Sequence, residues 1–271
     1  HHAADPLARS ADGVGAMSTV HLQIDGPIAQ IVLDNPAKLN AFTPEMLAQL
    51  EGHCATLERA GDVRGVILRS EGDRAFCAGA DITAWAELSP FDFARHWVRE
   101  GHRIFDRLAR LSKPTIAVIH APAFGGGLEL AAACDIRVMV PGATLALPEA
   151  QVGIVPGWSG TQRLARLIPE PVLKEMALFG RRIDAARAHG LGFVAEVADD
   201  PLALAQSIAA GLAKSSPRAV EVAKYQIHAA VDEDRSAMIE ALGGGMIGAS
   251  ADRAEGVAAF VEKRKPAFPG S

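Results

Sequence analysis

The apolar positions of this chain change period along its length. Val20 to Ile24 and Ile28 to Leu33 alternate or run apolar on either side of Asp25-Gly26-Pro27, which predicts two strands joined by a tight turn. Thr43 then offers an N-cap with Pro44 at the first helical position, and Leu47, Leu50, Cys54 and Leu57 fall on one helical face. Gly65 to Leu68 is the next short apolar strand. Strand, helix and strand in that order are the crossover of a largely parallel, buried sheet. Ser89-Pro90 repeats the helix-start signal, and Trp97, Ile104, Leu108 and Leu111 carry that helix's apolar face towards Ser112-Lys113-Pro114. Thr115 to Ile119 and Ile136 to Val140 read as strands, with a short helix between them that opens at a glycine run and continues through Ala133.

Beyond Gly157 the helical period takes over. Helices are expected at 158–167, 171–179, 184–189, 201–214, 217–230, 234–248 and 251–264, with strand character only near Phe193 to Val197. The chain therefore divides into an α/β body, residues 18–200, and a helical C-terminal region, residues 201–271, with no low-complexity linker between them. Apolar helix faces without a spacer must pack on their own body or on another subunit. Residues 1–17 open with His1-His2 and resemble the remnant of an expression tag, with Met17 as the natural start. No basic stretch followed by an apolar core is present there, so a secretory signal is not expected.

Composition narrows the function. The chain has 271 residues, 49% of them hydrophobic, enough to bury a large core. A formal charge of −5 and a pI near 6.0 leave no electrostatic footprint for nucleic acid. Cys54, Cys77 and Cys134 are too widely spaced for a zinc site or a disulfide framework, which fits a reducing cytosol. The histidines show no HExxH spacing, so no metal is expected. Ile116 to Cys134 is the most apolar stretch, but His120, Pro122, three consecutive glycines and Glu129 mark it as interior, not membrane-spanning.

Two acids stand in company that makes their charge costly. Glu129 ends Ala123-Phe124-Gly125-Gly126-Gly127-Leu128-Glu129, and Glu149 closes Ala143-Thr144-Leu145-Ala146-Leu147-Pro148-Glu149. Carboxyl groups among small and apolar residues have perturbed proton affinities, as proton transfer requires. The glycines before Glu129 can present backbone N–H groups at a helix start, but the run lacks both the P-loop Lys-Ser/Thr ending and the Gly-x-Gly-x-x-Gly spacing. Arg74 to Ile82 holds a second turn of small residues whose N–H groups could face a developing negative charge; the plainer alternative is a strand-to-helix turn with Asp81 as its cap. Gly157-Trp158-Ser159-Gly160-Thr161 comes close to a serine-hydrolase elbow, but its fifth position is Thr161 and no strand immediately precedes it.

Taken together, these segments resemble the enoyl-CoA hydratase/isomerase, or crotonase, superfamily over about Val20 to Phe268. The likeness rests on Asn35-Pro36 with Lys38-Leu39-Asn40-Ala41, Phe76 to Ile82, Gly125 to Glu129, Cys134-Asp135-Ile136, Pro148-Glu149, Gly160-Thr161-Gln162-Arg163-Leu164 and Phe260 to Lys265. It implies the crotonase-like (ClpP/crotonase) α/β spiral of repeated β-β-α units. It also implies an oxyanion hole made by the N–H groups of Ala78 and Gly126, acting on an acyl-CoA thioester. CoA contacts are expected from Lys38, Ala78, Ala80, Asp81, Ile82, Phe260 and Lys263. The acyl pocket is expected to involve Trp85, Leu88 and Trp158, with Phe91 and Phe93 at its border.

Hydratases of that superfamily carry acids at both glutamate positions, and this chain has both, 20 positions apart (129 to 149). The resemblance thus implies a cytoplasmic enoyl-CoA hydratase of fatty-acid β-oxidation, without cofactor because CoA is part of the substrate, assembled as a homotrimer or a dimer of trimers. An isomerase, thioester hydrolase or lyase of the same superfamily remains open, as does a non-catalytic acyl-CoA-binding protein. Trp158-Ser159 stands where well-known hydratases have small residues, and the indole would either narrow the site or pack outward.

Overall fold

The computed structural model describes residues 18–233 and 235–271; the segment read as a tag remnant lies outside the described residues. Strands β1 (Thr19–Asp25) and β2 (Ile28–Asp34) form the expected hairpin, with Val20 opposite Leu33. Helix α1 (Pro44–Arg59) begins where the Thr43 hydroxyl accepts the Met46 N–H, and it buries Met46, Leu47, Leu50, Cys54 and Leu57. That is the face its periodicity predicts. Strand β3 (Gly65–Ser70) returns parallel to β2, as the crossover requires.

A short helix, α2 (Ile82–Trp85), follows, and then a long helix in three stretches: α3 (Pro90–Asp92), a π-helical stretch Phe93–Val98, and α4 (Arg99–Ala109). The sequence pattern reads this as one regular helix. Next come β4 (Thr115–Ile119), β5 (Ala123–Phe124), α5 (Gly126–Ala133), β6 (Ile136–Met139) and β7 (Thr144–Ala146). They are followed by α6 (Gly160–Leu167), α7 (Glu170–Phe179), β8 (Ile183–Asp184), α8 (Ala185–Gly190), β9 (Glu196–Val197) and α9 (Pro201–Ala210).

The larger sheet has the order β1-β2-β3-β4-β6-β9, parallel except for β1, and the smaller one the order β5-β7-β8. Strand β4 joins the large sheet and its successor β5 the small one; β6 and β7 repeat the move. This is the β-β-α spiral of the crotonase fold.

Alternation along the central strands serves two cores. Val66 and Leu68 of β3 pack with α1, α4 and α5, whereas Ile67 turns to the opposite face, where Ile116, Val118 and Val138 meet Ala205 and Ala209 of α9. Helix α9 therefore covers the back of the sheet. It belongs to the first compact unit, which runs to Ser215, and not to the C-terminal region in which the sequence reading places it. The second unit, Ser216–Ser271, consists of α10 (Pro217–Ala230), α11 (Arg235–Gly248) and α12 (Ala251–Glu262).

Helix α5 is buried along its whole length, so its termini need internal partners. At the C-terminal end the buried Arg137 guanidinium donates to the carbonyls of Ala131 (3.2 Å) and Cys134 (2.8 Å). Burial lowers the Arg137 pKa to about 10, which still leaves it charged at neutral pH, the sign a helix C-terminus favours.

Candidate active site

Glu129 is the fourth residue of α5 and is only 2% exposed. A single carboxylate oxygen, Oε1, accepts the Trp158 N–H at 2.9 Å and the Gly160 N–H at 2.7 Å. Both donors lie at the start of α6, where the helix dipole favours an anion. They can converge because Ser159 between them adopts φ 75, in the left-handed region. Gly160 is dictated by the close approach: a β-carbon there would lie 2.5 Å from Oε1. Burial pushes the Glu129 pKa up to about 7, while the two N–H groups and the Arg163 charge pull the other way.

Glu149 begins the 3-10 turn Glu149–Val152 and is 7% exposed. Its Oε2 is buried and has no hydrogen-bond partner among the described residues. Burial raises its pKa to about 7 as well; its own N–H opposes the rise and the Glu129 charge adds to it. The two carboxyls line one cavity of about 200 Å³. Their environments differ in kind: Glu129 is held by donors that favour its ionised form, and Glu149 faces a charge that favours its proton.

The structure corrects the assignment of one backbone donor. The Ala78 N–H is already engaged, donating to the Leu39 carbonyl at 2.9 Å. Two residues on, a parallel bridge with Phe42 is made by the Phe42 N–H on the Gly79 carbonyl (2.8 Å) and the Asp81 N–H on the Phe42 carbonyl (2.9 Å). A bridge made by its two neighbours turns the Ala80 N–H away from Phe42. No acceptor for it is found among the described residues. Gly126, as the first residue of α5, likewise has no intrahelical acceptor for its N–H. Gly79 and Gly126 are close neighbours, since a β-carbon on Gly79 would lie 3.4 Å from the Gly126 nitrogen. Ala80, not Ala78, is thus the amide free to act beside Gly126.

Of the residues expected at the acyl pocket, Trp85 and Trp158 line the cavity, and the indole of Trp158 packs inward at 3% exposure. Leu88 does not line it: its N–H bonds to the Trp85 carbonyl on the turn that ends α2, and its side chain is 36% exposed. Phe91 is also exposed and off the cavity, whereas Phe93, Trp97 and Val98 of the π-helical stretch are on it. The sequence reading assigns Trp97 to the core face and does not single out Val98.

Among the residues expected to contact CoA, Ala78, Ala80 and Ile82 line the cavity. Lys38 is tied to Asp81 at 2.6 Å. Burial opposes the Asp81 charge, but hydrogen bonds from Lys38 and Thr83 outweigh it and hold the pKa below its usual value. Asp81 also caps α2 through the Thr83 N–H, the plainer role considered for it. Phe260, 85% exposed, and Lys263, the C-cap of α12, belong to the second unit.

Ser159 does contact a histidine, with Oγ 2.7 Å from His102 Nδ1. It is nevertheless absent from the cavity lining, no strand precedes Gly157, and no carboxylate partner of His102 is found among the described residues, so the arrangement does not form a hydrolase triad. No cluster of three or more metal-ligand side chains occurs among the described residues. No helix among them is long and apolar enough to cross a membrane.

Comparison with known proteins points the same way as the geometry. The profile of the enoyl-CoA hydratase/isomerase family matches residues 23–271. The chain is 36% identical over 255 residues to "Probable enoyl-CoA hydratase 2, mitochondrial" of Arabidopsis thaliana, covering 91% of this chain and 83% of that protein. It is 32% identical to the short-chain-enoyl-CoA hydratase of Clostridium acetobutylicum, covering 92% and 97% of the two chains. Among solved structures, an enoyl-CoA hydratase from Bacillus anthracis superposes with a TM-score of 0.76 at 33% identity, over 93% of this chain and 99% of that one.

Proposed function

The chain belongs to the enoyl-CoA hydratase/isomerase family, and within it we propose that this protein hydrates trans-2-enoyl-CoA to 3-hydroxyacyl-CoA, the type of reaction used in fatty-acid β-oxidation. The observation that carries the proposal is the pair of buried carboxyls, Glu129 and Glu149, lining one cavity with the unspent N–H groups of Ala80 and Gly126. Moving a double bond needs one proton shuttle; adding water needs a group to take a proton and a second to supply one.

In this reading the thioester oxygen accepts the Ala80 and Gly126 N–H groups. Glu129, whose pKa burial raises to about 7 while two amides and the Arg163 charge favour its anion, takes a proton in its ionised form from water as the water oxygen bonds to C3. Electron density moves to the thioester oxygen, giving an enolate that the two amides stabilise. Glu149, which keeps its proton because burial and the Glu129 charge both favour the neutral form, delivers that proton to C2 on the same face. Loss of one proton from Glu129 and uptake of one by Glu149 restore the starting state. No cofactor takes part, since CoA enters with the substrate. As the resemblance implies, Lys38 is assigned to the CoA of its own subunit and Phe260 and Lys263 to the CoA of a neighbouring subunit in a homotrimer or a dimer of trimers, with other exposed apolar residues of the second unit, such as Val261, at the contacts between subunits.

The test is incubation with crotonyl-CoA, following loss of the enoyl-thioester absorbance and identifying the product by mass. Addition of one water is expected. Glu129→Gln and Glu149→Gln should each lose about 10²- to 10⁴-fold in kcat. A product of unchanged mass, or two variants at the wild-type rate, would reject hydration by this pair.

A further inference from the structure

The buried indole of Trp158 forms part of the cavity wall. Its indole spans two helices. At one edge it lies so close to α5 that a β-carbon on Gly126 would come within 2.9 Å of its benzo ring, and at the other a β-carbon on Gly101 of α4 would fall 2.1 Å from its Nε1. The ring is also locked in orientation. Its Nε1–H donates to the Trp97 carbonyl at 3.1 Å, and its rings meet those of Phe105, Trp97 and Phe42 at centroid distances of 5.1, 5.2 and 6.1 Å. A side chain with its polar atom satisfied and both edges against backbone has no empty rotamer to swing into.

We propose that Trp158 is a specificity-determining residue that closes the inner end of the acyl cavity and confines the enzyme to short-chain acyl groups, of about four to six carbons. The proposal rests on the assignment of the thioester oxygen to Ala80 and Gly126. With the oxygen there, the first acyl carbons lie between Gly126 and the two glutamates, and the indole, packed on Gly126 and lining the same cavity of about 200 Å³, stands directly beyond them. A site with an open apolar channel gains about fourfold in affinity for each further methylene it buries. Here the gain stops after the first few carbons, and longer chains must bend out of the cavity or displace the ring.

The test uses saturated acyl-CoA esters, which cannot be hydrated, so that binding is read separately from chemistry. Calorimetric titration of the wild type with butyryl-, octanoyl- and decanoyl-CoA should give at least tenfold tighter binding of butyryl- than of decanoyl-CoA. Trp158→Leu and Trp158→Phe should shift that ratio by about 10-fold or more towards the long chain. The ratio is taken within each variant, so a smaller folded fraction cancels, and the more conservative Phe variant guards against loss of the fold. Wild-type binding of decanoyl-CoA as tight as that of butyryl-CoA, or a ratio unchanged in both variants, would overturn the proposal. Failure of the wild type to hydrate crotonyl-CoA would instead refute the reaction assigned above, with the binding ratios still deciding the role of Trp158.

Discussion

Replacing Gly160 by alanine should disable the site while leaving the fold intact. The new methyl would lie 2.5 Å from Glu129 Oε1, 2.7 Å from Cγ and 2.9 Å from Cδ, so the carboxyl has to move. In moving it leaves the N–H groups of Trp158 and Gly160, now at 2.9 and 2.7 Å, each bond to a charged acceptor being worth about 1.5–3 kcal/mol. A displacement of that size in a proton-accepting group costs on the order of 10²-fold in rate. The helix itself has no objection to alanine, which is favoured over glycine by about 0.5–1 kcal/mol. Gly52→Ala, in α1 with open space around the added methyl, is the matched control and should be slightly stabilising and fully active. Steady-state kinetics on crotonyl-CoA should therefore show kcat reduced about 10²-fold in Gly160→Ala with KM little changed. The acid limb of the pH profile should also move to higher pH, because the lost donors are what held the Glu129 pKa down. A Gly160→Ala enzyme within threefold of wild-type kcat would refute the argument that these two amides hold the base in place.

Further outcomes follow from the same geometry. With one carboxylate required and one acid required, and both pKa values raised to about 7, kcat/KM should describe a narrow bell near neutral pH, falling below it as Glu129 is protonated and above it as Glu149 loses its proton. Because the Glu129 charge adds to the rise at Glu149, Glu129→Gln should lower the Glu149 pKa, measurable by carboxyl carbon NMR; an unchanged or higher value would deny the coupling. Exchanging the peptide N–H for an ester oxygen at Ala80 should cost about 10²- to 10³-fold in kcat, while the same exchange at Ala78, whose N–H serves Leu39, should affect stability more than turnover. Cys54, Cys77 and Cys134 are all buried, and burial pushes the Cys77 thiol up to about 12, so a thiol reagent should label them only at the rate at which the protein opens.

The helix starts were legible in the sequence because capping is local: Thr43 and Ser89 each place a hydroxyl beside a proline, and both accept the N–H three residues on. The glutamates were legible because a carboxyl among glycines and alanines carries a desolvation cost that its immediate neighbours already reveal. The choice between Ala78 and Ala80 was not, since which amide is free depends on Leu39 and Phe42, residues almost forty positions away that the local motif does not specify. Helix α9 reads as part of a helical tail by period alone; only the apolar back face of β3, β4 and β6 shows where Ala205 and Ala209 are needed. The direction of Trp158 was undecidable for a similar reason, because its socket is assembled from Phe42, Trp97, Gly101, Phe105 and Gly126, distant positions that the motif around Trp158 does not specify.

The π-helical stretch Phe93–Val98 has a bearing on how the cavity wall could be remodelled. A π-turn holds about one residue more than the α-turn it replaces, and each residue of an α-helix advances the side-chain direction by about 100°. Removing a single residue from this stretch would let it close as regular α-helix. Phe93 and the residues before it would then rotate about the axis by roughly that angle relative to the buried α4 face of Ile104, Phe105 and Leu108. The α4 core contacts and the Phe93 side chain that lines the cavity are therefore on separate registers of one element. A deletion on the N-terminal side of Trp97, whose carbonyl and ring hold Trp158, is a route by which Phe93 can be re-aimed while the α4 face beneath stays packed.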